Sequence, residues 1–423
     1  MMRNVCLFLL IISFITLPFM AQAEELSLTL DEAITIALRD NRDILLKAED
    51  VKKAKAKIAE AQSSLLPVLN LSAGWTDVRE LYPKDFGTYS TQAGVKQILY
   101  KGGKIINAIK AGEYSYIASE AVLDKTKLET VLNVKKAFYT LLLSDRFVEI
   151  NKAILDNTQE HLDFIRARFN SGEVSESDVI KMRSAKAAVL QAYEASLNQT
   201  ESVQALLNNL LFFDKEVKIK PSGQFTYEPQ EIAYDEAFLK AMQSRPEIRQ
   251  LEAQRNAAEK GIEMLKADSR PTVSASWDYY SSSNLASQTT KNYNDYNVLG
   301  ITVSWPIFDG WLTKSKVEQA IIDLKEVQLL KEKTIKDIAL ELKTAYLDLK
   351  NALEKIKSVN EEISVYKDNL SVIEEKYKAG ITSLLDLHDA RLSYAVALFN
   401  QNQADYDYVV AKAKFDKATG GQL

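Results

Sequence analysis

Two short stretches concentrate the residues whose types and spacing could do chemistry. They are RFNSGEVSESDV, beginning at Arg168, and KYKAGITSLLDL, beginning at Lys376, and they lie about half of the 423-residue chain apart. Each holds a glycine (Gly172, Gly380), then a serine (Ser175, Ser383), then an aspartate three residues beyond the serine (Asp178, Asp386). Tyr377 and Thr382 flank the second glycine, and Asp389 follows Asp386. Carboxylates at such places can cap a helix, attract cations or, where several converge, raise one another's pKa. His388 sits among them and could sense pH or ligate a metal. His161, the other histidine, has no second histidine one helical turn away, so a surface or packing role fits it and no metal site is expected. GGK at Gly102 and TGG at Thr419 lack the spacing of a phosphate-binding loop. With no serine–histidine–aspartate set and no paired catalytic carboxylates, the reading is of a protein that is not an enzyme, without catalytic residues or cofactor.

What remains is the chemistry of a helix reversal. A glycine can end a helix in the left-handed conformation that other residues resist, and a serine with an aspartate three residues on can begin the next helix as a capping box. Both stretches therefore read as a long helix that stops, turns and returns.

The reversals belong to a tandem repeat. LSLTLDEAI near Leu26 matches EIAYDEAF near Glu231, Pro67 matches Pro271, and VKQILYKGG from Val95 matches VSWPIFDGW from Val303. Residues 24–211 form a first unit, 212–232 a connector or equatorial segment, and 233–423 a second unit. Each unit reads as helix, two strands, long helix, break, helix. The first helix begins at Thr29, where Glu32 completes a capping box, and is expected to run unbroken to Leu66 ahead of Pro67. The long helices are expected at about 102–169 and 310–378; such helices span roughly 100 Å. No single globular core is that long, so they must pack side by side. In the second unit, apolar residues spaced alternately three and four run from Ile335 to Tyr377 and include Ile338, Leu342, Ala345, Leu349, Ala352 and Ile356, a heptad seam. The first unit keeps that register less strictly, through Val134, Ala137, Leu141, Val148, Leu155 and Leu162.

The strands carry a different signal. Leu69, Leu71, Ala73 and Trp75 alternate with Asn70, Ser72, Gly74 and Thr76, and Val273, Ala275, Trp277 and Tyr279 alternate with Ser274, Ser276 and Asp278. Leu299, Ile301, Val303 and Trp305 do the same, and Tyr89, Ala93, Val95 and Leu99 do so more loosely. A strand of about ten residues is the length that crosses a bilayer at a tilt, and Trp75, Trp277 and Trp305 read as an interfacial aromatic girdle. A soluble sheet with one buried face would alternate in the same way. If the strands span a membrane, however, four cannot close a barrel, so several chains must share one.

Compartment and partners follow from the bulk. Arg3, the apolar run VCLFLLIISFITLPF and AQA ending at Ala23 read as a secretory signal peptide over residues 1–23. The only cysteine, Cys6, lies within it, which leaves no thiol for a disulfide or metal site. A formal charge of −5 without a long basic block gives nucleic acid nothing to bind. No later segment reaches 18 consecutive apolar residues, so no transmembrane helix is expected.

Taken in order, TLDEA at Thr29, the YKGG and FDGW turns between strand and helix, the tandem repeat and YKAGITSLLDLHDARLSYA resemble the TolC-like outer-membrane efflux proteins over essentially the whole mature chain. The resemblance implies a mainly α protomer with membrane β: four strands contributed to a shared, trimeric 12-strand barrel, continued by an α-helical tunnel across the periplasm. It implies a homotrimer in the outer membrane of a Gram-negative bacterium, contacting outer-membrane lipid and serving a tripartite efflux or type I secretion system. The partners it implies are a periplasmic adaptor protein and an inner-membrane pump of the RND, ABC or MFS class. It places both reversals at the periplasmic tip, with Tyr377 bonded to Asp178 in a closed state and Asp386 and Asp389 lining the lumen as acidic rings. Thr382 stands where the best-known member has an arginine, which leaves a latch through that charge missing or weaker. The competing reading is a structural coiled-coil protein of the periplasm or cell surface that transports nothing.

Overall fold

The computed structural model describes residues 25–79, 86–213, 217–225, 233–284 and 293–421; the expected leader lies outside them. In chain order the elements are β1 (Glu25–Leu28), α1 (Leu30–Asp40), α2 (Arg42–Ser63), β2 (Val68–Val78), β3 (Phe86–Lys101), α3 (Lys104–Asn170), α4 (Glu176–Leu211), β4 (Lys218–Pro221), α5 (Tyr234–Ser244), α6 (Pro246–Lys266), β5 (Thr272–Asn284), β6 (Tyr293–Ser304), α7 (Leu312–Lys378) and α8 (Leu384–Ala418). The chain is mostly helical, and α3 and α7 each have 67 residues, about 100 Å of helix.

The first helix is not continuous. It breaks at Asn41, whose side-chain oxygen accepts from the amides of Asp43 and Ile44 and so caps α2, while its own amide still closes the last turn of α1. The second unit breaks at the matching place, Arg245, with Pro246 opening α6. Both break residues reach across to the last turn of their unit's returning helix. The Asn41 carboxamide donates to the Leu210 carbonyl at 3.3 Å, and the Arg245 guanidinium donates to the Ala418 carbonyl at 3.1 Å. Arg245 is almost wholly buried and also binds Glu247 (3.0 Å) and Glu341 (2.8 Å), and Lys417 binds Glu341 at 2.6 Å. Burial alone would push the Glu341 carboxyl up, but the bonds from Lys417 and Arg245 outweigh it and hold the group below its ordinary value.

The helices pack lengthwise. On α7 the buried residues are Ile338, Leu342, Ala345, Leu349, Ala352, Ile356 and Val359, so the heptad seam is the face that α7 turns inward. α3 buries residues on more than one face, Phe138 and Leu142 beside Leu141, because it packs on α2, α4, α6 and α8 together. That central position explains why its apolar pattern is looser than a single seam. β1 and β4 form a small parallel pair, with Leu28 and Ile219 in one core cluster with Val134, Ala137 and Leu141 of α3, a feature that the helix-and-strand reading of the first unit did not include.

The remaining strands form one antiparallel sheet in the order β2-β3-β5-β6. Register sets its faces: Leu69, Val95, Trp277 and Leu299 stand opposite one another in a single row across all four strands. This face is aliphatic and largely uncovered, with Leu299 81% exposed and Leu71 79%. The opposite face is polar. There Gln92 donates to the carboxylate of Asp278 and to the Tyr280 hydroxyl, each at 3.1 Å. Trp75, paired with Tyr89, and Trp305, just past β6, lie toward opposite ends of the sheet. Trp277 lies between them in the aliphatic row and not at a strand end. The span from Trp305 to the row of Trp75 is about a dozen residues, on the order of 40 Å along a strand and about 30 Å when tilted as in a barrel, the depth of a hydrocarbon core.

At the end of each sheet hairpin the chain enters a long helix through two left-handed residues, Gly102 and Gly103 in one unit and Gly310 and Trp311 in the other. A Cβ on Gly102 would meet the Ala267 carbonyl oxygen and the Arg270 side chain, both at 2.8 Å, whereas one on Gly380 would meet nothing. Gly102→Ala is therefore expected to lower thermal stability more than Gly380→Ala, although both sites have positive φ. Gly380→Val should cost about 1–2 kcal/mol through backbone strain alone. An unchanged melting midpoint for Gly380→Val would show that the site does not require positive φ. Arg245→Met should cost about 3 kcal/mol, because it leaves the Glu341 and Glu247 carboxylates without their buried cation. A loss no larger than that of Asn41→Ala, measured by melting of the helical signal, would contradict this.

Candidate functional site at the paired helix reversals

Both reversals are built alike. α3 ends with the Gly172 amide bonded to the Phe169 carbonyl and the Glu173 amide bonded to the Arg168 carbonyl, each at 2.9 Å. α7 ends with Gly380 bonded to Tyr377 at 3.0 Å and Ile381 bonded to Lys376 at 2.8 Å. This pair of bonds requires a left-handed residue between them, and φ is 81° at Gly172 and 73° at Gly380. Arg168 and Glu173 close the first turn further with an ion pair at 2.9 Å, to which Ser171 adds a bond. Nothing in the periodicity marked that pair.

The returning helices start at Ser175 and Ser383. The Asp178 carboxylate accepts from the Ser175 amide at 3.1 Å and hydroxyl at 2.7 Å. The Asp386 carboxylate accepts from the Ser383 amide at 3.0 Å, the Ser383 hydroxyl at 2.6 Å and the Thr382 hydroxyl at 2.7 Å. Both are capping boxes; in the second the Asp386 amide donates to the Ser383 hydroxyl at 3.2 Å, and in the first the Asp178 amide also bonds to the Ser175 carbonyl at 3.1 Å. The hydroxyl bonds from Ser383 and Thr382 hold the Asp386 carboxyl below the usual carboxylate range, and those from Ser175 do the same for Asp178. Both aspartates therefore stay charged through mild acid. Thr382 bonds within its own turn.

The two turns face one another across a cavity of about 700 Å³, lined by Arg168, Val174 and Asp178 from the first unit and Tyr377, Thr382 and Leu385 from the second. Tyr377 and Asp178 thus share one space but make no bond: both of the Asp178 contacts lie within its own cap. Gly172, Gly380, Asp386 and Asp389 do not line the cavity, and both aspartates of the second turn are exposed. The arrangement offers no nucleophile or base positioned on a reacting centre. Among the described residues no group of three or more candidate metal ligands comes together.

One feature near the turns was not read from the sequence. His161, which also lines the cavity, stacks on buried His388, and Asn157 bonds to the His388 ring. The only hint was that Asn157 and His161 sit one turn apart on the same face of α3. Arg391, one turn beyond His388, binds Glu160 at 3.0 Å and lies 3.9 Å from Glu374.

This architecture has known counterparts. The chain matches the family model described as outer membrane efflux protein over residues 33–211 and again over 239–421. It is 21% identical to the outer membrane efflux protein BepC of Brucella suis, covering 93% of this chain and 86% of that one. It is 21% identical to the outer membrane protein TolC of Escherichia coli, with 90% and 80% covered. Among solved structures, the open state of the MtrE outer membrane channel of Neisseria gonorrhoeae superposes with a TM-score of 0.77 at 18% identity, covering 93% of this chain and 89% of that one. Two successive matches to one family model, falling on the two units of a tandem repeat, leave one assignment: the chain belongs to the outer membrane efflux protein family.

Proposed function

We propose that three copies of this chain form a passive exit duct in the outer membrane, its reversals at the periplasmic tip, where it meets a periplasmic adaptor and an inner-membrane pump. The observation that carries this reading is the sheet: one face is aliphatic and uncovered, the other polar, and the edges β2 and β6 have no partner among the described residues. Lipid accepts an apolar face but not an open edge. The chain already contains the joint that closing a ring would need. β3 of the first unit pairs antiparallel with β5 of the second. In the repeat these strands correspond to β6 and to β2, so β6 of one copy meeting β2 of the next would reproduce the same joint. Head-to-tail contacts of this kind generate rings, and the family likeness supports a ring of three, hence twelve strands. On this reading residues 1–23 are a removed leader, and 24–211 and 233–423 are the two repeat units joined by 212–232. Trp75 and Trp305 anchor the two interfaces of the bilayer. The RND, ABC and MFS pump classes all fit a duct that supplies no energy of its own.

Repeat equivalence makes the joint testable. Val95 pairs with Trp277 within the chain, and the corresponding residues across the joint are Val303 and Ala73. Oxidation of a Val303→Cys/Ala73→Cys variant is expected to give covalent trimers on a denaturing gel, with neither single variant doing so. Monomers alone, in protein that still requires detergent, would sink the shared barrel, and a detergent-free soluble pool would favour the structural rod.

The exposed carboxylates of the second reversal make a separate forecast. In a trimer, Asp386 and Asp389 would repeat as rings of like charge around the entrance, favouring cations and binding multivalent ones. Asp389 takes no part in the helix cap, so Asp389→Asn should weaken cation preference in planar-bilayer recordings without lowering the melting midpoint. The Asp386→Asn/Asp389→Asn variant should abolish that preference. Undiminished cation preference and trivalent block in the double variant would reduce Asp386 to a helix cap.

A further inference from the structure

The chain's only two histidines, remote in sequence, meet close to the reversals. The rings of His161 on α3 and His388 on α8 stack with centroids 4.6 Å apart and planes 15° from parallel. His388 is 3% exposed. Its Nδ1 bonds to the Asn157 side-chain oxygen, and the Asn157 amide group donates back to the His388 carbonyl at 3.4 Å. Because a carboxamide oxygen only accepts, the ring proton sits on Nδ1, and Nε2 is left as a bare lone pair, buried and without a partner. This returning helix of the second unit is thus fastened to the long helix of the first through a neutral imidazole.

A second proton on His388 must go to Nε2, where no acceptor waits, and would set a charge against His161 and Arg391. Burial first, then His161 and Arg391, hold the His388 pKa down to about 4, against the opposing pull of Glu160 on α3 and Asp389 on α8. Burial also lowers His161, with Asp389 again opposing. The other charged and titratable groups around the pair are Glu374 of α7, which lies beside Arg391, and Arg168 of α3, Asp178 and Lys181 of α4 and Tyr377 of α7, which line the cavity with His161.

We propose that the His161–His388 stack is an acid-released clasp between α3 and α8, holding the two helical hairpins together near the reversals while neutral and parting when His388 takes up a proton. The parted ring, back in water, regains its ordinary pKa of about 6.5. Protons therefore bind the parted state more tightly, and the clasp weakens as pH falls from about 6.5 toward about 4. At pH 5 the parted state gains on the clasped state by roughly twentyfold relative to neutral pH. Asp386, held below the usual carboxylate range by its cap, stays charged across this window. The clasp goes beyond the duct reading and does not rest on it.

Amide hydrogen exchange of the intact, detergent-solubilised protein tests it, with residues 384–395 followed at pH 7.5 and pH 5.0. His388→Gln at each pH serves as reference, since glutamine does not titrate and the intrinsic pH dependence cancels. The ratio of wild-type to variant exchange should rise at least tenfold between the two pH values. His161→Phe, which keeps a stacked ring without a second titrating group, should retain the acid response. Within wild type alone, residues 384–395 should gain on residues 404–415 by a similar factor. A ratio that does not change with pH, equal acceleration of both segments, or an acid response lost in His161→Phe would each overturn the clasp.

Discussion

A strand in hydrocarbon has no water to satisfy its backbone, and that constraint organises most of this molecule. The four-stranded sheet ends on β2 and β6, whose outer edges find no partner strand among the described residues. Once a neighbouring copy supplies them, every strand is tied to a circumference, and the two long helices that continue β3 and β6 must leave that circumference side by side. Their length then follows as a packing matter. Helices of about 100 Å have no globular core to enter, so they bury seams against one another along their whole course. The left-handed pairs at Gly102–Gly103 and Gly310–Trp311 are where the chain changes from one regime to the other.

The same constraint separates the parts of this outer-membrane channel of an efflux or secretion system. Sheet residues answer to lipid on one face and to a polar interior on the other, as the row of Leu69, Val95, Trp277 and Leu299 and the Gln92–Asp278–Tyr280 network show. Helix residues answer to one another. The reversals answer to neither. Their cavity joins cations, a carboxylate and a tyrosine across a loosely filled space, and no hydrogen bond spans it directly between Tyr377 and Asp178. The polar connections nearest to it run instead between α3 and α8, through Asn157 with His388 and Glu160 with Arg391.

Where one face of an element met one neighbour, its pattern was legible in the sequence. The α7 seam is the example: from Ile338 to Ile356 its expected inward residues are the buried ones. The reversals were equally plain, because glycine, serine and aspartate each have a local physical reason to stand there. α3 was harder to read, since several helices cover it and apolar residues appear all round. The break at Asn41 was missed because a capping asparagine inside an otherwise helical run looks like an ordinary polar residue, whereas Pro246 announces the same break in the second unit. The β1–β4 pair is only four residues long, too short for alternation to show. The histidine stack was invisible in principle, because no periodicity connects residues that meet only through the packing of α3 on α8.

The two units share a plan but not their fastenings. At the joint between the short helices and the returning helix, the first unit relies on a neutral asparagine and the second on a buried guanidinium held by two carboxylates. In a ring of such chains, soft and stiff joints alternate around the wall. A load applied along the tube would then fall unequally on alternate columns of the wall.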